Sequence, residues 1–194
     1  MVRNRAFDPA VALGQVVDLF ATKGYADTSM DDIVRATGVS RYGLYGTFGN
    51  KRELFEQALE RYADDMGRNS FLRLLEPDAG LADIRRIFDE QLDGLCCEAT
   101  PHGCLLCHTA LEIAPNDEEI RDVLLRFLQR MSRTFTVGLE NARDKGEIRD
   151  DLDLKAAGEL LTSSLFGVIV MARAGYPRKT LNAIVDTAIA GVAR

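Results

Sequence analysis

No segment of this 194-residue chain alternates apolar and polar residues cleanly in twos, which excludes a half-buried sheet as its framework. No apolar run reaches the ~18 residues that a bilayer-spanning helix needs. The longest, residues 165–172 (LFGVIVMA), reads as a buried helix. The opening decapeptide, MVRNRAFDPA, lacks the apolar core of a secretory signal, so a cytoplasmic location without a membrane partner is expected. Cysteine and histidine are scarce, four and two, and two CxxC arms at zinc-ribbon spacing are missing. Neither a paired-carboxylate motif nor a Ser/His/Asp arrangement is apparent, so no enzyme, no cofactor and no metal are expected. A strongly basic balance is lacking as well. The net charge is −6, which argues against a protein that coats nucleic acid without regard to sequence.

What the chain does have is helical punctuation, densest in residues 28–51, TSMDDIVRATGVSRYGLYGTFGNK. Thr28 followed three residues later by Asp31 is a capping-box-like start, and Met30, Ile33 and Val34 share one face of the helix it opens. Thr37-Gly38 closes that helix, with Gly38 free to take the left-handed conformation of the turn. Ser40 is a good N-cap for a second short helix, in which Leu44 and Phe48, four apart, point inward together. Arg41, Tyr42, Gly43, Tyr45, Gly46 and Thr47 are left facing out. They are cationic, hydroxyl-bearing or very small, a face suited to a helix laid in a major groove. Charge is distributed to match. Residues 1–52 carry seven Lys/Arg against five Asp/Glu, whereas the remainder carries 17 against 25.

These residues resemble the TetR family of bacterial transcriptional regulators. Thr28, Ile33, Gly38, Val39, Ser40, Leu44, Tyr45, Phe48, Lys51 and Leu54 follow that family's pattern without a gap. The departures are Val34 and Thr37, where alanines are usual, and Tyr42-Gly43, where glycine usually comes one residue earlier. The resemblance implies an operator-binding head in which Thr28 and Ser40 cap helices at the DNA surface. Arg41, Tyr42, Gly43 and Thr47 face the groove, and Tyr45 and Lys51 hold phosphates. Its partner would be a double-stranded DNA operator.

Beyond the head the apolar spacing stays near 3.6, so an all-α fold of about nine helices is expected. The expected division is a helix-turn-helix domain over residues 1–52 and a helical effector-binding and dimerisation domain over 53–194. Asp8-Pro9 starts the first helix and Gly24 stops it. The fourth begins near Asn50 and the fifth follows Gly80; the sixth begins near Pro101 and ends before Pro115-Asn116. The seventh spans about Asp117 to Lys145, the eighth about Leu154 to Ala174, and the ninth runs from Lys179 to the last residue. Helix 8 is apolar almost all round, so a second surface should cover it. The resemblance implies a homodimer built on helices 8 and 9, with Leu161, Leu165, Ile169, Leu181, Ile184, Val185 and Ala188 at the interface. Two recognition helices roughly 34–36 Å apart would then read a palindrome.

The resemblance also implies a small-molecule effector held by the later helices, and with it a repressor that the effector releases from DNA. Phe88, Leu92, Cys96, Cys107, His108, Leu111, Phe127, Met131 and Phe166 are the candidates for its pocket. All four cysteines and both histidines lie in residues 96–108, CCEATPHGCLLCH. Three readings of that cluster stand: small core residues, a thiol sensor of oxidants or electrophiles using Cys96, Cys97, Cys104 and Cys107, or metal ligands. A redox or metal-linked helical enzyme is the distant alternative.

Overall fold

The structure, a computed structural model, describes residues 7–66, 71–96 (the Cys96 side chain apart) and 104–194. Among these residues there are nine α-helices and no strand; one isolated antiparallel bridge joins Ile148 to Ala193. The helices are α1 Pro9–Lys23, α2 Met30–Thr37, α3 Arg41–Phe48, α4 Lys51–Met66, α5 Leu81–Cys96, α6 Leu105–His108, α7 Glu118–Asp144, α8 Leu154–Arg173 and α9 Arg178–Ala190. The all-α class and the helix order are those expected from the apolar spacing.

Local chemistry explains most boundaries. Asp8 caps α1 by accepting from the Ala10 N–H at 2.8 Å, with Pro9 at the first position. Asn50 Oδ1 accepts from the N–H groups of Arg52 and Glu53 at the start of α4, and Glu53 reaches back to the Asn50 N–H at 2.7 Å. Two differences from the sequence reading concern ends. The start expected near Pro101 lies outside the described residues; from Leu105 the sixth helix is a single α-turn that widens into a π-turn over Thr109–Ile113, and α9 stops at Ala190 instead of running to the last residue. A short 3-10 turn at Leu72–Leu75 carried no signal in the apolar spacing.

The chain forms two compact units, Met1–Asp64 with His102–Leu124 and Asp65–Pro101 with Leu125–Arg194. The boundary expected after residue 52 follows the sequence, whereas this grouping follows space. In the first unit the core is aromatic: Phe20 meets Phe55 edge-on at 5.0 Å and Tyr25 meets Phe55 at 4.9 Å. Ile33, Leu44 and Leu54 are fully buried around them.

In the second unit Phe135 packs between Phe71 at 5.4 Å and Phe88 at 6.1 Å. α8 lies against α5 and α9. Gly158 lets α8 approach α7 closely, since a Cβ there would sit 2.8 Å from the Ser132 carbonyl oxygen. Among the described residues α8 is the one helix that length and composition would allow to cross a membrane. Its buried side is core: Leu161, Leu165 and Ile169 are at most 4% exposed.

That burial corrects the expected dimer residues. Leu161, Leu165 and Ile169, with Leu181 and Val185 on α9, are spent inside the protomer, while Ile184 and Ala188 are half-buried. The hydrophobic effect does not distinguish a core stripe from an interface stripe, and here the strongest apolar positions went to the core. The open face of α8 instead presents Leu160 (49% exposed), Gly167 and Val170 (50% exposed).

Candidate nucleic-acid interface

α2 and α3 form the helix-turn-helix. Gly38, at φ 67°, ψ 4°, makes the turn between them, and its N–H donates to the Val34 carbonyl at 2.9 Å. The Thr37 hydroxyl donates to the Ile33 carbonyl and accepts from the Val39 N–H, so the threonine where alanine is usual stitches the turn. Ser40 caps α3 as expected, accepting from the Gly43 N–H at 3.1 Å. Leu44 and Phe48 turn inward, and Phe48 lies near Phe7 with rings 6.4 Å apart.

The outward face is narrower than the sequence suggests. Tyr42 is 79% exposed and Tyr45 43%, and Arg41 is exposed while paired with Asp31 of α2 at 2.6 Å. Gly43 and Thr47 are half-buried. A side chain at Gly43 would meet Val39 at 3.1 Å and Ser40 at 3.3 Å, so packing within the head leaves little room for anything larger than glycine there. Gly46 is the opposite case: a Cβ there meets nothing within 4 Å, and its exposed backbone is open to close approach.

Two site expectations are corrected outright. Thr28 does not cap α2. It is 1% exposed, and its hydroxyl donates to the Gly24 carbonyl at 2.6 Å. The cap is Ser29, which forms a reciprocal box with Asp32: Ser29 Oγ accepts from the Asp32 N–H and Asp32 accepts from the Ser29 N–H at 2.9 Å. The Asp32 carboxyl is held well below the usual range by the Ser29 hydroxyl and N–H, then by Lys23 and Arg35.

Lys51 is likewise turned inward. Its Nζ donates to the Tyr25 carbonyl at 2.6 Å and sits 4.1 Å from the centre of the Tyr25 ring. Burial pulls this ammonium below its ordinary pKa, against the pull of Glu112 and Asp27. Arg52 is also occupied, gripping Asp117 at 2.8 and 3.1 Å and Glu119 at 2.5 Å.

A carboxylate whose place near His108 in the sequence supports no catalytic role organises the turn between α1 and α2. Glu112 Oε2 accepts from the Tyr25 N–H at 3.0 Å and the Ala26 N–H at 3.2 Å, and Oε1 meets His108 Nδ1 at 2.8 Å. Despite partial burial, the two N–H groups and His108 hold this carboxyl below its ordinary pKa. Gly24, at φ 82°, faces the same carboxylate, and any Cβ there would collide with it. The 87-residue separation of Glu112 from Tyr25 explains why no local pattern announced it.

The expected effector residues divide between the two units. Phe88, Leu92, Phe127 and Met131 are buried in the second, with Phe166 half-buried. Cys107 and His108 are half-buried in the first, and Leu111 is 78% exposed there. A cleft of ≈360 Å³ lies on α7 beside Arg126, Arg130 and Arg133, bordered by none of those expected residues. Of the cysteines, Cys104 is buried; Cys97 and the Cys96 side chain lie outside the described residues, as does His102. Among the described residues no group of three His, Cys, Asp or Glu is placed to hold a metal.

An all-helical chain whose capped, glycine-turned helix pair exposes Arg41, Tyr42 and Tyr45 is a helix-turn-helix protein. Residues 16–58 match the family "Bacterial regulatory proteins, tetR family", and residues 80–190 match "Tetracyclin repressor-like, C-terminal domain". The uncharacterized HTH-type transcriptional regulator YezE of Bacillus subtilis (strain 168) is 30% identical over 190 residues, 97% of this chain and 98% of its own. The HTH-type transcriptional repressor ComR of Escherichia coli (strain K12) is 29% identical, covering 96% and 90%. A cysteine mutant of the TetR family regulator CifR, solved with 26-base-pair operator DNA, superposes with a TM-score of 0.84. It is 29% identical and covers 96% of this chain and 98% of that one. The chain belongs to the TetR family of DNA-binding transcriptional regulators.

Proposed function

We propose that this regulator is a cytoplasmic homodimeric repressor that holds a palindromic operator through α3 and is released by a small effector. Residues 1–52 serve as the DNA-binding domain and 53–194 as the effector-binding and dimerisation domain. The observation that carries the reading is the open face of α3. Tyr42 and Tyr45 are exposed on a helix whose other side is locked by Leu44 and Phe48, and Gly46 admits a phosphate backbone. Tyr45 is the phosphate contact, Arg41 and Tyr42 face the bases, and Ser40 stays a cap. Thr28 and Lys51 act from inside the head, shaping the turn that presents α3.

The dimer forms through the open side of α8, Leu160, Gly167 and Val170, with the half-buried Ile184 and Ala188 of α9 beside it. The effector occupies the second unit near Phe88, Leu92, Phe127, Met131 and Phe166, and it releases DNA by preferring the conformation that does not bind it. Selection from a random double-stranded DNA pool tests the reading. Wild-type protein should enrich one palindrome, and Tyr45→Ala should weaken it about 30-fold. That figure is ~1 kcal/mol per lost hydrogen bond, taken twice in a dimer. Recovery of no common sequence, or equal affinity of the variant, would refute the assignment.

A further inference from the structure

Cys104 and Cys107 stand three residues apart, with neither in a disulfide. Cys104 is the residue before α6, with φ −81° and ψ 114°, and Cys107 lies on the first helical turn. A residue in the first position and one three further on bring their side chains together, the geometry that capping pairs use. The Tyr62 hydroxyl donates to Cys104 Sγ at 3.8 Å. Burial raises the Tyr62 pKa well above its ordinary value, so this hydroxyl keeps its proton and remains a donor. The Cys104 thiol is drawn down to about 7, chiefly by the Cys107 thiol, with smaller help from the Cys107 N–H and Tyr62 against the cost of burial. The neighbouring amides aid this without forming a full capping hydrogen bond. A buried cysteine in plain core would shift the other way. Cys104 is 4% exposed, so a bulky electrophile is shut out, whereas half-buried Cys107 keeps the pair within reach of a small molecule.

We propose that Cys104 and Cys107 are a dithiol switch that hydrogen peroxide closes to an intrachain disulfide, weakening operator binding. The Cys104 thiolate attacks the peroxide: an S–O bond forms, the O–O bond breaks, and the displaced hydroxide takes up a proton to leave as water. The Cys107 sulfur then attacks the sulfenic sulfur. An S–S bond forms, the S–O bond breaks, and the second oxygen leaves as water with the remaining protons. The two thiols lose two electrons and the peroxide gains them. Ring closure repositions the turn that carries His108, next to Cys107. His108 is the partner of Glu112, which holds Tyr25 and Ala26 between α1 and α2. The release step rests on the operator-binding reading; the thiol chemistry does not.

The test treats full-length reduced protein with near-equimolar hydrogen peroxide, quenches with an alkylating agent and cleaves after glutamate. Cleavage after Glu98 and Glu112 separates Cys96 and Cys97 from the peptide of residues 99–112 that holds Cys104 and Cys107. The expected product is residues 99–112 lighter by two hydrogens and refractory to alkylation until dithiothreitol is added. Cys107→Ser should stop at a sulfenic acid on Cys104 that dimedone captures. Oxidation confined to the Cys96–Cys97 peptide, or Cys104→Ser oxidising as fast as wild type, would overturn the proposal. In parallel, affinity for the selected operator should fall about tenfold or more on oxidation, within the usual span of coupling between sites, and recover on reduction. A disulfide that forms without changing affinity overturns the regulatory step. Reduced protein that selects no DNA condemns the operator reading, while the mass measurement still decides on the thiols.

Discussion

Removing Glu112 should loosen the head without touching the exposed face of α3. In the native protein one carboxylate oxygen serves the Tyr25 and Ala26 N–H groups at 3.0 and 3.2 Å, and the other serves His108 at 2.8 Å. Hydrogen bonds to a charged group contribute about 1.5–3 kcal/mol each, and orphaned amides near the surface recover part of that from water. Glu112→Ala should therefore cost ~2 kcal/mol locally. Since ~1.4 kcal/mol is a factor of ten, amide hydrogen exchange of the α1–α2 turn should quicken roughly 30-fold. Glu112→Gln keeps an acceptor oxygen but not the charge and should cost ~1 kcal/mol. The same tie fixes a pH dependence. The folded pKa of Glu112 lies below its ordinary value of 4.5, so its contribution is fully present above pH ~4.5 and fades as pH falls through the lowered folded value. Exchange at residues 24–29 that stays within about twofold of wild type in Glu112→Ala would refute the assignment of this carboxylate as the tie.

Other expectations separate packing from recognition. Gly46→Ala should stabilise the head by ~0.5–1 kcal/mol through helix propensity, because nothing occupies the space of the new methyl, yet it should weaken the selected operator; paired denaturant and DNA titrations check both signs. Ser29→Ala should cost ~1 kcal/mol in urea unfolding as a lost N-cap, and a neutral result would return the cap to Thr28. Val170→Asp, at a half-exposed position, should leave helicity intact by circular dichroism but move sedimentation from dimer towards monomer, since a two-fold interface would bury two unpaired carboxylates at ~3 kcal/mol or more.

The head was legible because its determinants are short-range. Gly38, Ser40, Leu44 and Phe48 act on residues within four or five positions, and those effects appear in the spacing itself. The ambiguity at TSMDD is instructive. Thr28 with Asp31 and Ser29 with Asp32 satisfy the same capping pattern, and local sequence carries no preference between them. Tertiary packing chose Ser29 because Thr28 is buried beneath Gly24, where its hydroxyl has a carbonyl to serve. Lys51 shows the same limit. Its place in the motif was plain, but not that Tyr25 would draw its ammonium inward.

By itself, then, the sequence determined the helical class, the order of the helices, the turn of the helix-turn-helix and the register of its second helix. Each follows from periodicity and backbone preference along a few residues. Only the tertiary structure decided which apolar stripe of α8 is core and which of Arg41, Lys51 and Arg52 stays available outside. It also joined Glu112 to a turn 87 residues away. Those outcomes depend on which distant group wins a buried partner, and hydrophobicity and charge carry no address for that partner along the chain.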